Sequence, residues 1–169
     1  LCGMSRPKQR HVSRLEQRDK GEAVATVQSS IEAALFARVN TLVLSPALPI
    51  AWPNFAFPGV DAQGREKPKP ASYLRVMHMP NAAYRLCIGS GSPHQRQGLL
   101  QLDVFQPLNK GATAATELAE TVAEHFPTDL KLRSGTVTLR VTKFPDIAQA
   151  FSDSTHWQVP VTVAYECFA

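Results

Sequence analysis

Trp157-Gln-Val-Pro-Val-Thr-Val-Ala-Tyr-Glu-Cys167 is the stretch from which the fold can be read. Trp157, Val159, Val161, Val163, Tyr165 and Cys167 fall on every second residue, so they share one face of an extended strand. Such a face needs a sheet around it and a second layer over it. Working outward, the same alternation recurs. Leu99 to Gln106 sets Leu100, Leu102 and Val104 against Leu99, Gln101, Asp103 and Phe105, and Pro107 ends it. Tyr73 to Met79 carries apolar groups on both faces, which suits a place inside the sheet, and Pro80 closes it. Lys131 to Ser134 leads into a strand over Thr136 to Phe144, with Val137, Leu139 and Val141 on one side. Tyr84 to Ile88 reads as a weak strand running into a flexible Gly/Ser loop, and Pro145 to Thr155 as a polar connection.

Two segments change period. Glu22 to about Leu44 places Val24, Val27, Ile31, Leu35, Val39 and Leu42 on one helical stripe, and Ser45-Pro46 stops it. Ala114 to Phe126 does the same with Ala115, Leu118, Ala119, Val122 and Phe126 after a capping turn at Asn109 to Thr113, and Pro127 ends it. Between the first helix and the first strand, Pro46 to Pro58 holds four prolines with Trp52, Phe55 and Phe57. That composition predicts an extended edge segment pinning the helix to the sheet. Gly59 to Ala71 is a charged, exposed loop. The expected fold class is α+β: a mainly antiparallel sheet of about four to five strands with two amphipathic helices packed on one face. It occupies residues 21–169, behind a basic arm over residues 1–20.

At 169 residues the chain has room for one such domain, which buries about 70% of its unfolded surface and needs no metal or disulfide. No apolar run approaches the ~20 residues that cross a bilayer, and the polar, basic start does not read as a secretory signal, so neither a leader nor a membrane partner is expected. Met4 offers an alternative first residue to Leu1. Charge is uneven. The arm carries Arg6, Lys8, Arg10, Arg14, Arg18 and Lys20 against Glu16 and Asp19, a net +4, and the other 149 residues carry 12 basic and 12 acidic groups. The pI of about 9.2 therefore describes the arm and not the body. Cys2, Cys87 and Cys167 have no metal-like spacing; Cys87 and Cys167 read as small buried strand residues in a reducing compartment.

Catalytic patterns are missing from the sequence. There is no phosphate-cradling Gly loop of the Walker type and no Gly-x-Ser-x-Gly elbow; Gly89-Ser-Gly-Ser-Pro-His lacks both the following lysine and the helix. The five histidines are scattered. His125 suits the carbonyl end of the second helix, and His78 sits where an acid could neighbour it across the sheet. Asp103 reads as a solvent- or subunit-facing residue, with Arg140 as a partner if their strands adjoin. No catalytic residue, metal or cofactor is expected.

From about residue 25 onward an ordered series appears. It runs from Ile31-Glu-Ala-Ala-Leu-Phe-Ala-Arg38 through Ala51-Trp-Pro-Asn54 and Tyr73-Leu-Arg-Val76 to Gln97-Gly-Leu-Leu-Gln-Leu-Asp-Val-Phe-Gln-Pro107. Gly111, His125-Phe-Pro127 and Trp157 to Tyr165 complete it. In this order and spacing the chain resembles the tail-terminator-like proteins of long-tailed phages, prophages and gene transfer agents. The resemblance implies a structural virion protein assembled in the host cytoplasm. It implies a homo-oligomeric ring, typically a hexamer, that caps the tail tube, ends its growth and meets a head-completion or connector protein. DNA would pass through the bore without sequence-specific binding, with which the neutral body is compatible.

The candidate subunit- or tube-facing residues lie in two excursions: Arg85, Ser90, His94 and Arg96 in the first, and Asp146, Asp153 and His156 in the second. Arg6, Lys8, Arg10, Arg14 and Arg18 form a candidate docking arm that folds on a partner. The arm lies outside the matched series. Two other readings stand beside the terminator: a different neck component, such as a connector or tail-completion protein, and a basic nucleic-acid-binding protein acting through the arm.

Overall fold

A computed structural model describes residues 25–169, so the arm and the first residues of the expected long helix lie outside the described residues. The elements follow in the order α1 (Val27–Asn40), β1 (Ile50–Ala51), β2 (Tyr73–Pro80), β3 (Tyr84–Arg85), β4 (His94–Pro107), α2 (Thr113–Glu124), β5 (Lys131–Ser134), β6 (Val137–Val141), β7 (Asp146–Ile147), β8 (Phe151–Ser152) and β9 (His156–Phe168).

The backbone of the sheet is the β4–β9 pair, antiparallel and in continuous register from Gln95 opposite Phe168 to Pro107 opposite His156. Each is flanked by an interrupted strand. Along the outer edge of β4 run β2 and then β3, joined by the Asn81 N–H donating to the Gln97 carbonyl at 2.9 Å. Along the outer edge of β9 run β6, β7 and β8 in turn. The path ends in β5 on one side, closed by a two-residue turn with Gly135 at φ +56°, and in β1 on the other, parallel to β2.

These features correct the expected fold class. In place of a mainly antiparallel sheet of four to five strands with two helices on one face, the described residues form one nine-stranded mixed sheet curled like a half-barrel. α1 packs on β5 and β6, and α2 on β9, β4 and β7, so the curl serves each helix with its own strands. The undercount has a local cause. In an antiparallel ladder a residue's N–H and C=O point to the same neighbour. The Pro160 carbonyl accepts from Ala148 N–H at 2.9 Å, so its missing N–H faces that same flank. The flanking strand leaves the ladder there and returns as β8. The expected polar connection at 145–155 is therefore two short strands. Likewise, His94 to Gln97, expected in a flexible loop, belong to β4.

The helix expectations hold in kind and shift at the ends. α1 begins at Val27 because the Thr26 hydroxyl accepts from Ser29 N–H at 3.2 Å. Before α2 the turn forms, with Asn109 and Gly111 at positive φ, but Ala112 takes the cap position and supplies no side-chain bond. Ile31, Leu35 and Val39 of α1 and Ala115, Leu118, Ala119 and Val122 of α2 meet Leu100, Leu102, Val104, Val159, Val161 and Val163 in one core. Each full burial of a Val, Leu or Ile side chain among these contributes about 1.5–3 kcal/mol. The Pro-rich segment does pin helix to sheet: Trp52 lies 5.1 Å from Phe36 of α1, and the Leu74 N–H donates to the Pro49 carbonyl at 2.9 Å.

Candidate functional site

The buried polar groups come first, since a catalytic site would use them. Asp103 is 0% exposed, not solvent-facing as expected. Its Oδ2 accepts from Arg75 Nη2 at 2.7 Å and Nε at 3.1 Å, and its Oδ1 from Gln101 Nε2 at 2.8 Å. The register dictates this partner, because β2 sets Arg75 directly opposite Asp103. Arg140 instead lies opposite Glu166, and donates to its Oε1 at 2.5 Å and to Asp129 Oδ1 at 3.1 Å. That pairing holds the Glu166 carboxyl below its ordinary range.

His78 has its acid: Nδ1 is 3.7 Å from Glu32 Oε2 on α1, while Nε2 lies 2.6 Å from the Tyr165 hydroxyl. A Glu–His–Tyr series could in principle move a proton. Here burial pushes the Tyr165 phenol up to about 12, so it stays protonated at neutral pH, and burial lowers His78 against the opposing pull of Glu32. The Tyr165 ring crosses β4 over Gly98, where a Cβ would sit 2.4 Å from the hydroxyl oxygen. The bond therefore ties β2 to β9 over β4, and Gly98 makes room for it. His125 also works as a hydrogen-bonding group and not as a charge on the helix end: its Nε2 lies 2.9 Å from the Arg38 carbonyl, and burial lowers its pKa. No group of three or more His, Cys, Asp or Glu side chains that could hold a metal occurs among the described residues.

The surface carries the more distinctive features. Beyond β3 the chain turns back into β4, forming a hairpin. Arg85 donates to the Cys87 carbonyl at 2.8 Å and to the Ile88 carbonyl, which orders the turn. Ser90 is exposed. His94 exchanges backbone bonds with Ala169 at 2.9 and 3.1 Å. Arg96 is half-buried, and its Nε has no partner among the described residues. Cys87 is exposed here, against the expectation of burial, whereas Cys167 is buried as expected. Tyr84, Leu86, Ile88 and Phe168 leave large apolar groups uncovered, Ile88 being 95% exposed.

The second excursion lies on the far edge and toward the other end of β9. Asp146 pairs with Lys143. Asp153 Oδ1 accepts from the N–H groups of Thr155 and His156 at 2.7 and 2.6 Å, which lowers its pKa. His156 departs from its expected exposed position: it is buried, its ring edge-on to Tyr73 and Phe105. Those two rings stack at 4.4 Å, with the Arg75 guanidinium 5.0 Å from the Phe105 ring and Lys69 5.0 Å from the Tyr73 ring. Sequence reasoning missed this cluster. Its signal was present in the large apolar residues Tyr73 and Phe105 on the second face of each strand. The seven loop residues thus fall into two separate groups, and the arm residues lie outside the described ones.

The described residues thus form a long antiparallel ribbon with interrupted flanks, uncovered apolar side chains on both flanks and buried polar groups used in strand ties. The family model described as phage tail terminator protein matches residues 30–165. A solved structure is 29% identical, with a TM-score of 0.64, covering 83% of this chain and 94% of its own. No curated protein matches the chain. The chain belongs to the phage tail terminator family, a structural component of the phage tail.

Proposed function

We propose that the protein forms a ring, a hexamer, that caps the tail tube, ends its growth and offers its other side to a head-completion or connector protein. The observation that carries this reading is the family match across residues 30–165. The surfaces support it. Two different flanks of one subunit carry uncovered apolar groups, and contacts between unlike patches close into rings when the rotation allows. DNA passes through the bore without sequence-specific binding, and assembly takes place in the host cytoplasm before the ring enters the virion.

Electron microscopy of purified tail tubes incubated with the protein tests the proposal. Extra density at one end of each tube is expected, and tubes of uncontrolled length when the gene is deleted. Density confined to the head vertex, with tube length unchanged by the deletion, would assign the protein to another neck position.

A further inference from the structure

We infer that the β3–β4 hairpin of one copy docks against the β7–β8 edge of the next copy, a heterologous contact that extends the sheet from subunit to subunit. The inference rests on the ring reading and names its interface.

Four observations point to a second copy as the occupant. First, both places are open strand edges. β3 pairs only with β4, and β7 and β8 only with β9, among the described residues. An unpaired edge presents N–H and C=O groups that another strand can satisfy. Second, both are apolar where a solitary protein would be polar. The hairpin exposes Tyr84, Leu86 and Ile88, and the opposite flank exposes about half of Phe144 and Phe151. Third, that flank has a receptacle. A cavity of about 320 Å³ lies between Ser152, Trp157 and the Pro107–Ala112 turn. The Trp157 side chain lines that cavity together with the Pro107–Ala112 turn, so an incoming apolar side chain would meet an aromatic wall. Fourth, the charges are opposite. Residues 81–98 contain Arg85 and Arg96 and no acid, whereas 145–155 contain Asp146 and Asp153 and no base. Lys143 answers Asp146, which leaves Asp153 as the carboxylate facing outward without a cation among the described residues.

The placement makes the contact head-to-tail. The hairpin leaves the sheet at the Gln95–Phe168 end of the β4–β9 ribbon, on the β4 side. The receptacle lies at the Pro107–His156 end, on the β9 side. One copy therefore cannot fill its own receptacle with its own hairpin; a reciprocal twofold exchange would close at two copies, whereas head-to-tail donation continues to a third. Each copy donates a hairpin and accepts one, the geometry that closes a ring or grows a filament.

The native cysteines allow a discriminating test. Cys87 sits at the hairpin and Cys2 in the arm. The full chain carrying Phe151→Cys is oxidised at high concentration, alone and on tail tubes, and the linked peptides are identified by mass spectrometry. Linkage of position 151 to Cys87 of another copy is expected, and Cys87→Ser should remove it. Linkage to Cys2 would put the arm in the receptacle and overturn the inference. Linkage of position 151 to itself, or 151–Cys87 links found only in closed dimers and never in longer linked chains, would mean a twofold contact and also overturn it. Absence of a Cys87 link on tubes that are still capped would overturn this interface and leave the ring reading standing. Failure to bind tubes at all would count against the ring reading instead. In parallel, Ile88→Asp should leave the melting temperature unchanged at concentrations where the protein is monomeric and weaken self-association by roughly tenfold or more. Unchanged association would overturn the inference.

Discussion

Asp103 is a carboxylate with no access to water in the described residues, and three hydrogen bonds from Arg75 and Gln101 satisfy it. Removing Arg75 leaves that charge buried with one amide for company. Arg75 is itself partly exposed, so the loss falls short of that for a fully buried pair. Arg75→Leu is expected to cost about 2–3 kcal/mol in urea unfolding. Arg75→Leu combined with Asp103→Leu should cost less than the sum of the two single changes, because the orphaned charge is gone. A second residue-scale expectation concerns pH. Burial lowers His78 and His125 below the ordinary 6.5, for His78 against the opposing pull of Glu32. The unfolded chain then binds protons that the folded chain refuses, so stability falls as pH drops through about 6.5, and it stops falling from this source below the folded values. Replacing both histidines with Gln should flatten that slope in denaturant melts between about pH 5 and 7. Asp153 and Glu166, both held below their ordinary ranges, lose their contributions only at lower pH, through the carboxylate range.

At the scale of elements, β1 is the least self-sufficient strand: two residues, parallel, at the end of the sheet. Trp52 on Phe36 and the Leu74–Pro49 backbone bond hold it in place. Trp52→Ala should therefore open that edge locally. Hydrogen exchange at the Leu74 amide is expected to accelerate, while amides in the β4–β9 ladder keep their protection. Unchanged exchange at Leu74 would mean that Trp52 does not hold the strand. Which elements could be read from sequence follows the same logic of length. β9, β4 and β2 repeat their alternation often enough to be read, and both helices announce their stripes. β3, β7 and β8 are two residues each, and no period can be read from two residues. Pro160 was the usable clue, a proline inside an otherwise perfect strand whose partner had to break. The two candidate segments stood out in the sequence because they are polar and rich in Gly, Ser and Asp, but the short strands within them did not. Nor was the place of His156 legible, because its burial comes from Tyr73 and Phe105, which arrive from other strands.

For the whole molecule, the separation of charge between arm and body decides how it treats nucleic acid. The six cations of residues 1–20 are offset by two acids, and the remaining 149 residues are neutral by count. On the proposed ring reading DNA passes through the bore, and a body neutral by count is compatible with that passage. Any DNA affinity of the intact chain should then reside in the arm, be independent of sequence and weaken steeply with salt. Six cations can release counterions from at most six phosphates, so log K against log salt should be no steeper than about −5 on duplex DNA. Deleting residues 1–20 should abolish the binding and its salt dependence together, while the truncated chain still caps tail tubes. Fluorescence anisotropy with a labelled duplex across a salt series, run beside the tube-end assay, measures both. DNA binding that survives the truncation would place a cationic surface in the body and count against the proposed free passage of DNA. Loss of capping with the arm would instead make the arm part of the docking apparatus. That outcome would separate the arm's contribution from that of the hairpin and its receptacle, both of which lie in the sheet.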